Sequence, residues 1–288
     1  MKKNIKLKLS TLLFSFIILM SNISFDTYAA VFTSENNINK TINEYEALKN
    51  INQEYTMLKS RGLLENSQFS DMDSETIDSI INYKEIYSDK IYQLKKLSLE
   101  DLKEFNYSDS QIDAIKSFDG SEEKLMLASS SCTIYGDFNS FNPSYSGTTA
   151  ELIMGFNWQG VPSNLCKDIF AVTWSSPFNC VSAEGYVTYK RPDYNTKTIY
   201  IQPEAGGLYG SSIKFLKYHD EGPNKVGYVQ SGSMILNLKS NTYVADITGY
   251  AEYGYSSITI EPSVSFGGDL SISFSGNTRV LDTHRCYR

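Results

Sequence analysis

Apolar positions in the first half of the chain recur at steps of three and four. Ile38, Ile42, Tyr45, Leu48, Ile51, Tyr55 and Leu58 form one stripe of a long amphipathic helix that Gly62 ends. A second helix is expected from Asp73 or Ser74, carrying Ile77, Ile80, Ile81, Tyr87, Ile91 and Leu94 inward. Ser98-Leu99-Glu100-Asp101 and Ser108-Asp109-Ser110-Gln111 each open a further short helix. In both, the serine hydroxyl and the side chain three residues on can satisfy each other's backbone N–H groups. Asp119-Gly120 closes the last of them. Stripes of this period predict core packing between helices rather than a seam for a partner.

Beyond Cys132 the period shortens to two. Leu152, Met154, Phe156 and Trp158 fall on one face of a strand, and Phe170, Val172 and Trp174 on one face of the next. Further strands are expected around 186–190, 198–201, 213–218, 234–238, 243–250, 257–261 and 270–274. Gly, Pro, Asn and Asp clusters separate them, with no helical pattern between. The fold class read from this is α+β in two parts: a small helical N-terminal module followed by an all-β antiparallel sandwich.

Composition breaks at the same point. All seven prolines, all four cysteines and both tryptophans lie beyond Leu127. Acids outnumber bases nineteen to eleven over residues 30–126 and thirteen to eleven over 127–288. At the start, Lys2, Lys3, Lys6 and Lys8 precede the apolar run from Leu12 to Met20, which is shorter than the ~20 residues a membrane helix needs. Small residues at Thr27 and Ala29 suit a signal-peptidase cut after Ala29. The expected organisation is therefore a signal peptide over 1–29, a helical module or pro-region over 30–126 and a β domain over 127–288, secreted and without a membrane span. If 30–126 is a pro-region, the small polar run from Ala128 to Ser131 is the expected exposed cleavage site. Cleavage of the signal turns a net charge of −7 into −10, which disfavours nucleic acid and anionic lipid as partners.

Four cysteines in an exported chain, Cys132, Cys166, Cys180 and Cys286, predict two disulfides. An extended strand between Cys166 and Cys180 would hold them too far apart to pair. That leaves 132–166 with 180–286, or 132–180 with 166–286, and a bulge or bend in that strand would reopen 166–180 with 132–286. None stands in a zinc-site spacing.

Catalytic signatures are missing from the chain. His219 reads as part of a polar loop and His284 lies beside a cysteine near the terminus, each a solvated or locally hydrogen-bonded residue rather than a triad member, and neither a nucleophile elbow nor a phosphate loop occurs. A glycosidase needs only two acids brought together by the fold. The β half offers Asp137, Glu151, Asp168, Glu184, Asp193, Glu204, Asp220, Glu221, Asp246, Glu252, Glu261, Asp269 and Asp282, none of them marked by a motif. Asp137-Phe138-Asn139 with Asn142 could offer oxygens to calcium, but reads as a turn. No cofactor is expected. Fourteen of the twenty-one tyrosines lie in the β half, where Tyr serves both as a strand former and as a recognition residue.

The run from Leu99 to Glu122, with Phe156-Asn157-Trp158 and Asp168-Ile169-Phe170-Ala171-Val172-Thr173-Trp174, resembles uncharacterised secreted proteins of Gram-positive bacteria that join a helical segment to a β domain. The resemblance implies no activity and no site residues. The reading that follows is a secreted, non-enzymatic binding protein for an extracellular glycan or protein. Its alternatives are a latent secreted glycan hydrolase using a carboxylate pair, or an exported toxin.

Overall fold

In the computed structural model, residues 42–70, 72–163, 166–191, 195–220, 226–256, 262–268, 270–275 and 278–288 are described. The expected signal peptide, Ile38 and the strand at 257–261 lie outside them. The first stripe folds as α1 (Glu44–Ser60), capped by Asn43, whose Oδ1 accepts the Glu46 N–H at 2.9 Å. Gly62 ends it at φ +68°, a conformation that favours glycine. The second apolar run is two helices, α2 (Ser74–Ile81) and α3 (Tyr83–Leu94), with Asn82 between. That break resets the helical phase, so Ile81, expected inward, is 43% exposed. Helices α4 (Leu99–Glu104) and α5 (Asp109–Lys116) begin with the reciprocal caps expected at Ser98 and Ser108.

After Gly120 the chain makes one more helix, α6 (Glu122–Ala128), beyond those expected from the apolar periodicity. The stretch from Ala128 to Ser130, expected as exposed linker, is buried. Its serines are consumed by α1: Tyr45 N–H donates to Ser129 Oγ and Glu44 N–H to Ser130 O, both at 2.9 Å.

The strands are β1 (Ser131–Asn142), β2 (Thr148–Gln159), β3 (Lys167–Trp174), β4 (Asn179–Lys190), β5 (Thr196–Ile201), β6 (Glu204–Ala205), β7 (Gly210–Leu216), β8 (Tyr218–Asp220), β9 (Val226–Ser240), β10 (Thr248–Ser256), β11 (Val264–Gly267), β12 (Ser271–Phe274) and β13 (Thr278–Tyr287). One antiparallel sheet runs β1-β2-β9-β4-β5 with β8 on β9, and a second runs β13-β10-β3-β7-β6. Their facing side chains share one core, in which Phe156 stacks on Phe215 at 5.2 Å and meets Phe170 and Tyr253 edge-on. The β11–β12 hairpin covers part of the second sheet's outer side. Phe266 occupies the space over Gly206 and Gly210, where any Cβ would collide with its ring, and Ile169, Ala171 and Thr173 are buried. Strand β13 was not expected, and the strand expected from Tyr243 begins only at Thr248.

Thr41–Arg288 form one compact unit. Ala47 of α1 belongs to the same core as the sheets. Gly160 N–H donates to Phe105 O, Asn106 Nδ2 to Trp158 O and Ile42 N–H to Leu281 O, and Arg279 pairs with Glu54. The central tie is Glu44, fully buried. Its carboxylate accepts Tyr255 OH at 3.0 Å, Ser163 N–H at 2.7 Å, Lys90 Nζ at 3.0 Å and Tyr87 OH at 3.1 Å. Burial pushes the carboxyl up, but Lys90 and the Ser163 N–H outweigh it and hold the group below the usual range.

The expected disulfides are absent: no bond joins Cys132, Cys166, Cys180 and Cys286. Cys132 pairs in register with Trp158, whereas Cys180 pairs with Leu238 and so with Ala150, eight residues away along β2, about 26 Å. Cys286 lies level with Gly249 and Trp174, and Cys166 stands eight residues before Trp174, again about 26 Å. For the other pairing, β13 lies against β1, where Asp282 accepts Ile134 N–H. Two strand spacings then separate β13 from β3 and three separate β1 from β4. These are about 10 and 14 Å, beyond the ~7 Å a disulfide allows between Cα atoms.

Glu44→Ala strips Lys90 of its buried partner and should cost roughly 3–5 kcal/mol in urea unfolding at pH 7. Because the folded pKa is depressed, the Glu44 contribution is present above the ordinary carboxyl range and lost as pH falls. The difference between variant and wild type should therefore shrink in acid.

Candidate functional site

The register of the first sheet aligns one transverse row across five strands. Tyr135 pairs with Gly155, Gly155 with Ser233, Ser233 with Tyr186 and Tyr186 with Tyr200. Neighbours in each strand, such as Ile134, Phe156, Met234 and Val187, fill the core, so strict alternation turns the row outward. Tyr135 and Tyr200 are 47% and 51% exposed. A Cβ at Gly155 would come within 2.7 Å of the Tyr135 ring, so the glycine lets that ring approach the β2 backbone. Tyr186 and Tyr200 meet edge-to-face at 5.8 Å. Aromatic walls thus flank a floor of Gly155 and Ser233, and β1 and β5 stand four strand spacings apart, about 19 Å.

Polar rows border it. On one side lie Thr133, Asn157, Ser231, Thr188 and Thr198; on the other, Asp137, Ile153, Ile235 and Glu184, then Glu151, Asn237 and Ser182. Tyr186 OH donates to Glu184 at 2.6 Å and Asn237 Nδ2 to Ser182 Oγ at 3.0 Å. Such a surface offers apolar planes beside amide, hydroxyl and carboxylate groups. A second aromatic pair stands in the loops, where Tyr145, 94% exposed, stacks on Tyr243 at 5.2 Å.

Several of the acids considered as a hydrolytic pair go to separate partners. Asp168 is fully buried against Lys217 at 2.6 Å, and Asp282 accepts a backbone N–H. Asp137 faces Arg288, Glu204 faces Lys214, and Glu151 takes Asn139. Asp193, Glu221, Glu261 and Asp269 lie outside the described residues. His219 lies on β8 beside Tyr189, and His284 on β13 with Nε2 2.9 Å from Gly136 O. Asp137-Phe138-Asn139 belongs to β1, with a bulge between Phe138 and Ser140, rather than to a loop. Among the described residues, no three His, Cys, Asp or Glu side chains converge as a metal site, and no helix is long and apolar enough to cross a membrane. No single tyrosine stands out in the sequence, because the transverse row exists only through the register.

Glu252, on the outer side of the second sheet, is pushed up to about 7 by burial, opposed only by the Tyr250 hydroxyl at 2.5 Å.

No family model matches this chain, and no curated protein matches it. Solved structures give distant likenesses. The collagen-binding subdomain of the Enterococcus faecalis surface protein ACE matches at 10% identity, with 55% of this chain and 94% of that one covered and a TM-score of 0.25. The C-terminal domain of the Streptococcus agalactiae AgI/II polypeptide BspA matches at 10% identity over 54% and 49%, with a TM-score of 0.31. The KRT10-binding region of the pneumococcal protein PsrP matches at 9% over 43% and 86%, with a TM-score of 0.21. At these scores the likenesses carry nothing about function.

Since the folded pKa of Glu252 is raised, stability should fall as pH rises from the ordinary carboxyl range through about 7. Glu252→Gln should raise the urea midpoint at pH 8 and leave it unchanged near the unperturbed carboxyl pKa.

Proposed function

We propose that this is a secreted recognition protein that lays an extracellular glycan chain across the open face of its first sheet. The observation that carries the reading is the row Tyr135, Gly155, Ser233, Tyr186 and Tyr200. The C–H face of a sugar stacks on such rings while Asn157, Thr188 and Glu184 take its hydroxyls. Glu151 and Glu184 add carboxylates to the face, Asp137 being paired with Arg288, which favours a neutral or amino-bearing polymer over an anionic one. Residues 42–126 stay in the working protein, because Glu44 supplies the acceptor for Tyr255 and Ser163 inside the β part.

The test is a glycan array followed by calorimetry on its hits, with Tyr135→Ala, Tyr186→Ala and Tyr200→Ala beside the wild type. Each variant should keep its circular dichroism spectrum and lose about tenfold in affinity, the scale of one aromatic contact. A blank array together with capture of a host or cell-surface protein that the variants lose would assign the face to a protein ligand. Undiminished binding by all three would remove the face from consideration.

A further inference from the structure

We propose that Lys217 and Asp168 condense into an intramolecular amide, a covalent cross-link between β3 and the residue that follows β7. Both side chains are fully buried, with Nζ 2.6 Å from Oδ1. The pair is set by register: Asp168 lies opposite Phe215, and Lys217 N–H bonds Cys166 O. This makes the two a diagonal cross-strand pair. Aromatic rings enclose them; Lys217 Nζ lies 4.3 Å from the Tyr255 ring centroid, and Tyr253 OH donates to Asp168 Oδ2 at 2.7 Å while accepting Trp158 Nε1 at 2.9 Å.

An ion pair with no exposed surface faces a large desolvation cost, and transfer of one proton within it yields a neutral amine and a carboxylic acid. These are a nucleophile and an electrophile already in contact, so the reaction is effectively unimolecular. Burial itself pushes the Asp168 carboxyl up. The Nζ lone pair attacks Cγ, aimed by the Ser256 carbonyl that Nζ already bonds at 2.6 Å. Charge developing on Oδ2 is stabilised by the Tyr253 hydroxyl. Oδ1, which accepts Ser256 N–H at 2.9 Å, bears the acid proton, takes one proton from the amine and leaves as water. One C–N bond forms and one C–O bond breaks, with no change of oxidation state and no co-reactant. The amide that results keeps Ser256 O as acceptor for its N–H and Tyr253 OH as donor to its oxygen, and exclusion of water protects it from hydrolysis.

The deciding experiment is intact mass of the folded full chain after complete reduction. The protein should be lighter than its sequence, counted from its own N-terminus, by one water, and a digest should contain a branched peptide joining Lys217 to Asp168. Lys217→Arg, which keeps the charge, and Asp168→Ala should both show full mass. After refolding, Tyr253→Phe should convert at least tenfold more slowly than wild type. Wild-type protein that is folded by circular dichroism and still of full mass after prolonged incubation would overturn the proposal, as would the same deficit in Lys217→Arg.

Discussion

A carboxylate with no exposed surface holds this molecule together. Glu44 enters the interior one residue after the Asn43 cap of α1 and collects donors from α3, from β10 and from the segment before β3. Stripped of water, such a group is tolerable only if every lone pair finds a donor and its charge finds a counter-charge. Here Lys90 supplies the charge, and Tyr87, Tyr255 and Ser163 supply the donors. The chain is bound to this arrangement on both sides, since the backbone N–H of Glu44 itself bonds Ser130 as β1 begins. Two regions with different composition therefore close around a single polar centre.

That centre fixes what remains available for recognition. The helices occupy the end of the sheets near Trp158 and Gly160, and α1 runs beside β13 through Leu281 and Arg279. The β11–β12 hairpin takes the outer side of β3 and, through Phe266, of the start of β7. Among the described residues, the outer side of the first sheet stays open, where tyrosine, small residues and short polar side chains alternate with core positions. The uncovered side is also the one that carries aromatic rings at both margins.

Local signals in the sequence were legible and long-range ones were not. The Ser98 and Ser108 caps, the Gly62 stop and the inward faces of β2 and β3 depend on neighbours within a few residues, and each is found where its spacing puts it. Glu44 reads in sequence as an ordinary first-turn acid, because its donors lie up to 211 positions away. Strand β13 has no period-2 signature, since Arg279, Asp282 and Arg285 interrupt it and its buried residues Thr278, Leu281 and Cys286 fall at steps of three and five around the register shift opposite Tyr253 and Gly254. The buried serines after α6 looked like linker for the same reason: small polar side chains announce exposure unless another element consumes their hydrogen bonds. Cysteine number misled because it counts thiols and not the strands between them.

The most direct measurement of the tie through Glu44 is the amide dispersion of residues 129–288 produced without the preceding helices, read by two-dimensional nuclear magnetic resonance. With Glu44 gone, Tyr255 and Ser163 lose their acceptor and Ala47 leaves a gap in the core between the sheets. Collapsed, poorly dispersed resonances are expected. A well-dispersed spectrum with cooperative unfolding would contradict that tie and make the helical segment a separable part.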